Sequence, residues 1–221
     1  SQWDPDNREK YIGTPEQWDE AQGIMKKILD DLGVEYTVGV GEAAFYGPKL
    51  DVQYKNVFGK EDTIVTIQVD QLLAEQFGME YTDTDGQKKR PYILHRTSLG
   101  CYERTLAYLI EKYAGALPTW LSPTQVKLLP IGNEQLEYTK KIAEKMQSFG
   151  IRVETDDRYE KIGYKIRQAQ LQKIPYMLII GDKEMADGTV SVRSRKNGDM
   201  GAVPADEFID RLVLEIAKKE R

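Results

Sequence analysis

Cysteine and histidine each occur once in 221 residues, as Cys101 and His95. One cysteine excludes an intrachain disulfide and suits a reducing compartment. The pair also falls short of a zinc site, which needs at least three protein ligands. An Asp or Glu would have to supply the third, and no spacing marks which one. Uninterrupted apolar runs are short as well. None approaches the roughly 18 residues of a membrane span, and Ser1-Gln2-Trp3-Asp4 lacks the basic and apolar regions of a signal peptide. The expectation is a cytoplasmic chain with no membrane partner. Charge of one sign is not in excess: 31 Lys and Arg against 36 Asp and Glu give a net charge of −5. Nucleic-acid binding therefore requires local basic patches. No Gly-rich phosphate loop opens a predicted helix, which disfavours a small-molecule α/β enzyme.

What is present suffices for two small cores, with 40% hydrophobic and 30% charged residues. A helix is expected from Thr14, which can cap it, with Pro15 in the first helical position and Gln17 completing a capping box. Its apolar stripe is Trp18, Ala21, Met25, Ile28, Leu29 and Leu32, and Gly33 ends it. Leu50, Val52 and Tyr54 then alternate with polar residues, and a turn near Asn56 to Gly59 leads to a second strand from Thr63 to Asp70, predicting an antiparallel hairpin. Val65, Ile67 and Val69 share one face of that strand, so Gln68 faces the other way. From Leu99 to Tyr113 the spacing is helical, with Tyr102, Leu106, Leu109 and Tyr113 on one stripe and Arg104 off it, free to point into a site.

Pro118 and Pro123 bracket the expected domain boundary, giving domains 1–120 and 121–221. Beyond it, strand 126–131, helix 134–149, strand 151–155, helix 162–173 and strand 176–180 alternate as βαβ units do. A hairpin around Asp187-Gly188 and a helix over 204–219 follow. The fold class is thus α/β and α+β: an antiparallel sheet with helices, then a mixed-sheet α/β domain.

Several residues stand out chemically. His95, on the apolar strand Tyr92-Ile93-Leu94-His95, is by residue type more often a hydrogen-bonded structural histidine than a ligand. Arg104 suits either a surface salt bridge or a planar cation over a base or phosphate. Tyr46-Gly47-Pro48 reads as a tight turn, with Lys49 placed to meet an anion. Gly100 would permit close backbone approach. In the second half, Lys161, Lys165, Arg167 and Lys173 lie on or beside one helix, and Arg193, Arg195 and Lys196 on a hairpin. A solvated charged face is the ordinary explanation of both groups.

Taken in order, Glu42-Ala43-Ala44-Phe45-Tyr46-Gly47-Pro48-Lys49, Thr66-Ile67-Gln68-Val69-Asp70 and His95-Arg96 through Gly100-Cys101-Tyr102-Glu103-Arg104 resemble the later part of the catalytic domain of threonyl-tRNA synthetases, a class II family. The last segment is similar to the third class signature. The resemblance implies catalytic roles for Arg104 and Lys49, with Arg104 on ATP. It also implies threonine contacts from Tyr46 and Gln68, a substrate-facing position for Cys101 where relatives often have Ser, and His95 as one of three zinc ligands. ATP, Mg²⁺ and Zn²⁺ are the implied cofactors, and threonine, threonine tRNA and a second copy of the parent protein the implied partners.

The second half resembles the anticodon-binding domain of the same family over Glu160 to Arg167, Ile174 to Leu178, Gly181 to Glu184 and Val190 to Arg195. That implies anticodon contacts from Arg167, Arg193 and Glu184, with Lys173 on phosphate; Tyr159 departs from a polar amide found in some relatives and is suited to stack on a base instead. The upstream signatures, with an ATP-binding arginine and two zinc ligands, have no counterpart here, nor has an editing domain. The expectation is a truncated threonine-tRNA ligase, inactive alone; the competing reading is a tRNA-gripping module or paralogue without catalysis.

Overall fold

In the computed structural model, which describes residues 1–220, strand and helix boundaries follow the local signals closely. The chain divides into two units, 1–108 and 109–221, the divide falling within the third helix.

In the first unit, helix α1 (Pro15–Asp31) begins with the expected capping box: Gln17 N–H donates to Thr14, and Thr14 N–H to the Gln17 carboxamide. Trp18, Ala21 and Leu29 from its stripe are buried, whereas Ile28 and Leu32 are exposed. Trp18 stacks on Trp3 at 5.7 Å, and with Ala43 these residues form the small core, Tyr11 packing on its edge. Strands β1 (Lys49–Lys55) and β2 (Glu61–Asp70) form the predicted hairpin, with a register shift between Val52 and Gln53. After a short helix α2 (Leu73–Gln76) and a small hairpin β3 (Tyr81–Thr82) and β4 (Lys88–Lys89), strand β5 (Ile93–Arg96) pairs antiparallel with β2. The sheet order is β1-β2-β5. Helix α3 (Tyr102–Lys112) follows; its predicted stripe is not covered, since Tyr102 and Leu106 are exposed and no residue of the helix is buried.

The second unit is a five-stranded mixed sheet, β10-β9-β8-β6-β7. Strand β6 (Val126–Pro130) runs parallel to β7 (Val153–Thr155) and β8 (Tyr176–Ile180), joined through helices α4 (Leu136–Ser148) and α5 (Ile162–Leu171). Helix α6 (Asp182–Asp187), antiparallel strands β9 (Thr189–Ser194) and β10 (Gly198–Pro204), and helix α7 (Ala205–Lys218) complete it. One sheet face buries Leu128, Leu178, Val190 and Val192 against Ile142, Met146, Phe208 and Leu212; the other buries Leu129 and Met177 with Ala169 and Ile174.

The predicted hairpin at Asp187-Gly188 is corrected. Asp187 ends α6, Gly188 is its left-handed cap at φ 68°, and the hairpin turn lies between β9 and β10 at residues 195–197. A Gly-containing pair between two strands fits a hairpin turn and a helix cap equally well; the intervening six-residue helix decides for the cap.

Candidate functional site

Strand pairing in the first unit assembles a polar row from residues far apart in sequence. Gln68 lies directly opposite Lys49 on one side and His95 on the other. Directly opposed residues in an antiparallel sheet point to the same face, with Cβ atoms roughly 4.5–5.5 Å apart, and the period of two adds Asp51, Thr66 and Asp70 to that face. The Tyr46 hydroxyl donates to Gln68 Oε1 at 2.9 Å, and its ring meets His95 edge-on at 6.4 Å. Tyr46, Lys49, Gln68 and His95 are thus brought together.

Two carboxylates hold the row. Asp51 accepts from Lys49 Nζ at 2.6 Å and from the Thr66 hydroxyl at 2.8 Å. Burial pushes its carboxyl up, but these partners outweigh burial and keep it below the usual range. Asp70 lies within 2.8 Å of His95 Nε2 and accepts from the Leu72 and Leu73 amides. It too is held low against the opposing effect of burial. A carboxylate on one imidazole nitrogen fixes the ring and leaves the other nitrogen available, the arrangement metal-bound histidines commonly have. One imidazole is not a site, however: no group of three His, Cys, Asp or Glu among the described residues could hold a metal ion.

Backbone approach explains the glycines of this wall. A Cβ on Gly47 would lie 1.7 Å from the Val69 carbonyl oxygen, and one on Gly100, at φ 67°, 2.2 Å from that of Ile64. Both loops therefore lie directly against β2. Arg104 is not free as the helical spacing implied: its Nη1 donates to the Thr63 carbonyl at 3.1 Å. Thr63 and Gln68 are five residues apart on β2, so the arginine lies beside the far end of the strand from the row. Cys101 is exposed, and its thiol donates to Glu103 at 2.9 Å, not to the row. Asp51 and Asp70, which hold the row, were not among the predicted site residues; their position two residues from Lys49 and Gln68 on the same strands was the available signal.

In the second unit a pocket of 390 Å³ opens beside α5 and β9, lined by Gln170, Ile174, Met177, Arg193, Ser194, Arg195 and Gly198. Arg193 lies directly opposite Met177, and its guanidinium is 3.9 Å from Asp199. Arg167 is exposed on α5, one turn before Gln170, and Tyr159 is 97% exposed before the helix begins. Glu184 accepts from the Gly181 amide at 2.9 Å at the start of α6. The Lys173 ammonium donates to the Ala114 carbonyl.

Two cations assigned to a solvated face are structural instead. Lys165 is 3% exposed and donates to the Pro130 and Asp156 carbonyls at 2.9 and 3.0 Å. Arg195 donates to the carbonyls of Lys173, Ala116 and Leu117. Helix spacing could not show that α5 lies over two strand ends, which is what buries Lys165.

Comparison with known proteins matches these two assemblies separately. Residues 6–113 match the tRNA synthetase class II core domain (G, H, P, S and T), and residues 125–215 the anticodon binding domain. The ordered pair is that of a class II aminoacyl-tRNA synthetase. All of the chain aligns at 60% identity with a threonine–tRNA ligase of Clostridium perfringens, and 97% of it at 48% identity with threonine–tRNA ligase 1 of Bacillus subtilis. It spans 34% of the length of each. A crystal structure described as the RNA binding domain of threonyl-tRNA synthetase from Cryptosporidium parvum superposes with a TM-score of 0.81 at 34% identity, over 96% of this chain and 52% of that one. The chain belongs to the threonyl-tRNA synthetase family.

Proposed function

We propose that these residues serve an ATP-dependent threonine–tRNA ligase, the first unit supplying one wall of the aminoacylation site and the second reading the anticodon. The observation that carries this reading is the cross-strand row of Lys49, Gln68 and His95 with Tyr46 bonded into it, in a chain that also matches an anticodon binding domain. Threonine presents an ammonium, a carboxylate and a hydroxyl. Gln68 and Tyr46 are placed to bind polar groups of that kind, and Lys49, steadied by Asp51, to meet an anionic one. Arg104, steadied by its one bond to the Thr63 carbonyl, keeps further guanidinium donors with which it would meet ATP. Mg²⁺ would offset the phosphate charge during adenylate formation.

For Zn²⁺, His95 with Asp70 behind it fits a single ligand position, and the remaining ligands would have to come from outside these residues. We further propose that the parent enzyme is a cytoplasmic homodimer. Among the described residues no helix is long and apolar enough to cross a membrane. On the RNA side Arg167 and Arg193 would read base edges, Tyr159 would stack, Glu184 would accept from a base amine through the carboxylate oxygen that does not hold the Gly181 amide, and Lys173 would meet phosphate. The test is aminoacylation by the full-length protein carrying Gln68→Ala or Tyr46→Phe. A raised KM for threonine with the KM for ATP unchanged is expected; unchanged threonine kinetics in both variants would overturn the assignment of this wall.

A further inference from the structure

Resting on the anticodon-reading function proposed above, we infer that Gln170 is a specificity-determining residue: its carboxamide reads the edge of an RNA base seated in the pocket between α5 and β9. The pocket's 390 Å³ falls within the roughly 300–1,000 Å³ typical of small-ligand sites. Its floor is apolar, formed by Ile174 and Met177, both buried in the layer between α5 and the sheet, and so offers a face for a flat ring. Base recognition then depends on which polar groups around that floor remain uncommitted.

Arg195 is committed to three backbone carbonyls. Ser194 is buried, and its hydroxyl accepts from the Lys196 and Asn197 amides. Arg193 has only the distant Asp199 carboxylate. The Gln170 side chain makes no hydrogen bond among the described residues, and it lies on the exposed side of α5, next to the buried Ala169.

Chemistry separates the two free groups. A guanidinium has five donors and no acceptor, so Arg193 alone satisfies a base's carbonyl and ring-nitrogen acceptors and is indifferent to its amino groups. A carboxamide carries donor and acceptor in one plane, the feature that lets Asn and Gln pair bidentately with a base edge. With Gln170 the pocket demands an edge bearing both a donor and an acceptor. Without it, any base with acceptors suffices. Arg193 accordingly favours acceptor-rich bases, and Gln170 adds discrimination by demanding a donor beside the acceptor on the same edge.

The experiment is titration of this 221-residue protein with threonine tRNA and with an otherwise identical tRNA carrying a swapped anticodon, at one fixed salt concentration. Gln170→Met keeps the length and apolar body of the side chain while removing both polar functions, and Gln170→Ala removes the side chain. Gln170 is exposed, so both variants should fold, and circular dichroism checks that they do. Expected is a fall of about tenfold in the affinity ratio between the two RNAs in both variants, the size of one lost base-edge contact. Arg193→Ala in parallel should weaken binding of threonine tRNA. Loss of affinity in Arg193→Ala with an unchanged ratio in both Gln170 variants would overturn the Gln170 assignment and leave the anticodon reading standing. No effect of any of the three would remove the anticodon reading from this pocket altogether.

Discussion

At the scale of single residues, the clearest energetic statement concerns charge held against burial. Asp156 is 5% exposed, and Arg158 donates to both its oxygens, at 2.8 and 2.6 Å. That pairing, opposed by burial, holds its carboxyl below the ordinary value of 3.8. A carboxylate whose folded pKa is depressed adds stability that is present above the unfolded pKa and is lost as pH falls through the folded one. In Arg158→Ala the carboxylate loses this partner and its folded pKa rises, so the acid unfolding midpoint of the second unit should move to higher pH. At neutral pH the variant should be less stable, because the Asp156 carboxylate stays buried without this partner. Acid titration followed by circular dichroism checks both, and an unchanged midpoint would mean that the pair does not couple to folding. Gly100 carries a second residue-level expectation. Both its φ of 67° and the 2.2 Å approach to the Ile64 carbonyl oppose a side chain. Gly100→Ala should cost about 1–3 kcal/mol in the first unit, measurable as a lower urea midpoint for the Trp3 and Trp18 fluorescence change in a Trp120→Phe background.

At the scale of elements, helices α1 and α5 and the β1–β2 hairpin were legible because their information is local: a capping box, a 3.6-residue stripe, a period of two. Lys173 shows where local information stops. Its place just after α5 suggested a solvated cation, yet it stands at φ 57° with its ammonium on the Ala114 carbonyl. A neutral carbonyl leaves the positive charge uncompensated, so the expectation of a phosphate contact survives this geometry. Lys173→Ala should weaken binding of every tRNA by a similar factor and reduce the salt slope of binding by roughly one. Arg193 on β9 should behave otherwise: its loss should cost about 1–3 kcal/mol and act unequally on cognate and anticodon-swapped RNA. Binding isotherms at two salt concentrations separate the cases, and indistinguishable behaviour of the two variants would reduce the surface to undifferentiated charge.

On the scale of the whole molecule the two units differ in how well each is buried. The second has two core clusters on opposite sheet faces, whereas the first has one, built around Trp3 and Trp18, and exposes Phe58, Phe77, Leu94 and Tyr102. Because stability follows buried apolar area, the first unit should unfold at lower urea. In a Trp120→Phe background, Trp3 and Trp18 fluorescence should change before most far-ultraviolet ellipticity is lost, and coincident transitions would refute the ordering. By itself the sequence determined the type of the longer elements, the capping of α1, the β1–β2 hairpin, the alternation of the second half and the family. These rest on neighbouring residues or on the order of motifs, both written directly along the chain. Only the tertiary structure decided that Lys49, Gln68 and His95 form one row, that Asp51 and Asp70 hold it, that Arg104 sits on Thr63, that Lys165 and Arg195 are structural, and that Gln170 and Arg193 share a pocket. Each joins segments from different elements, and which side chains then meet is set by strand pairing and helix packing, a geometry that periodicity along one element does not contain.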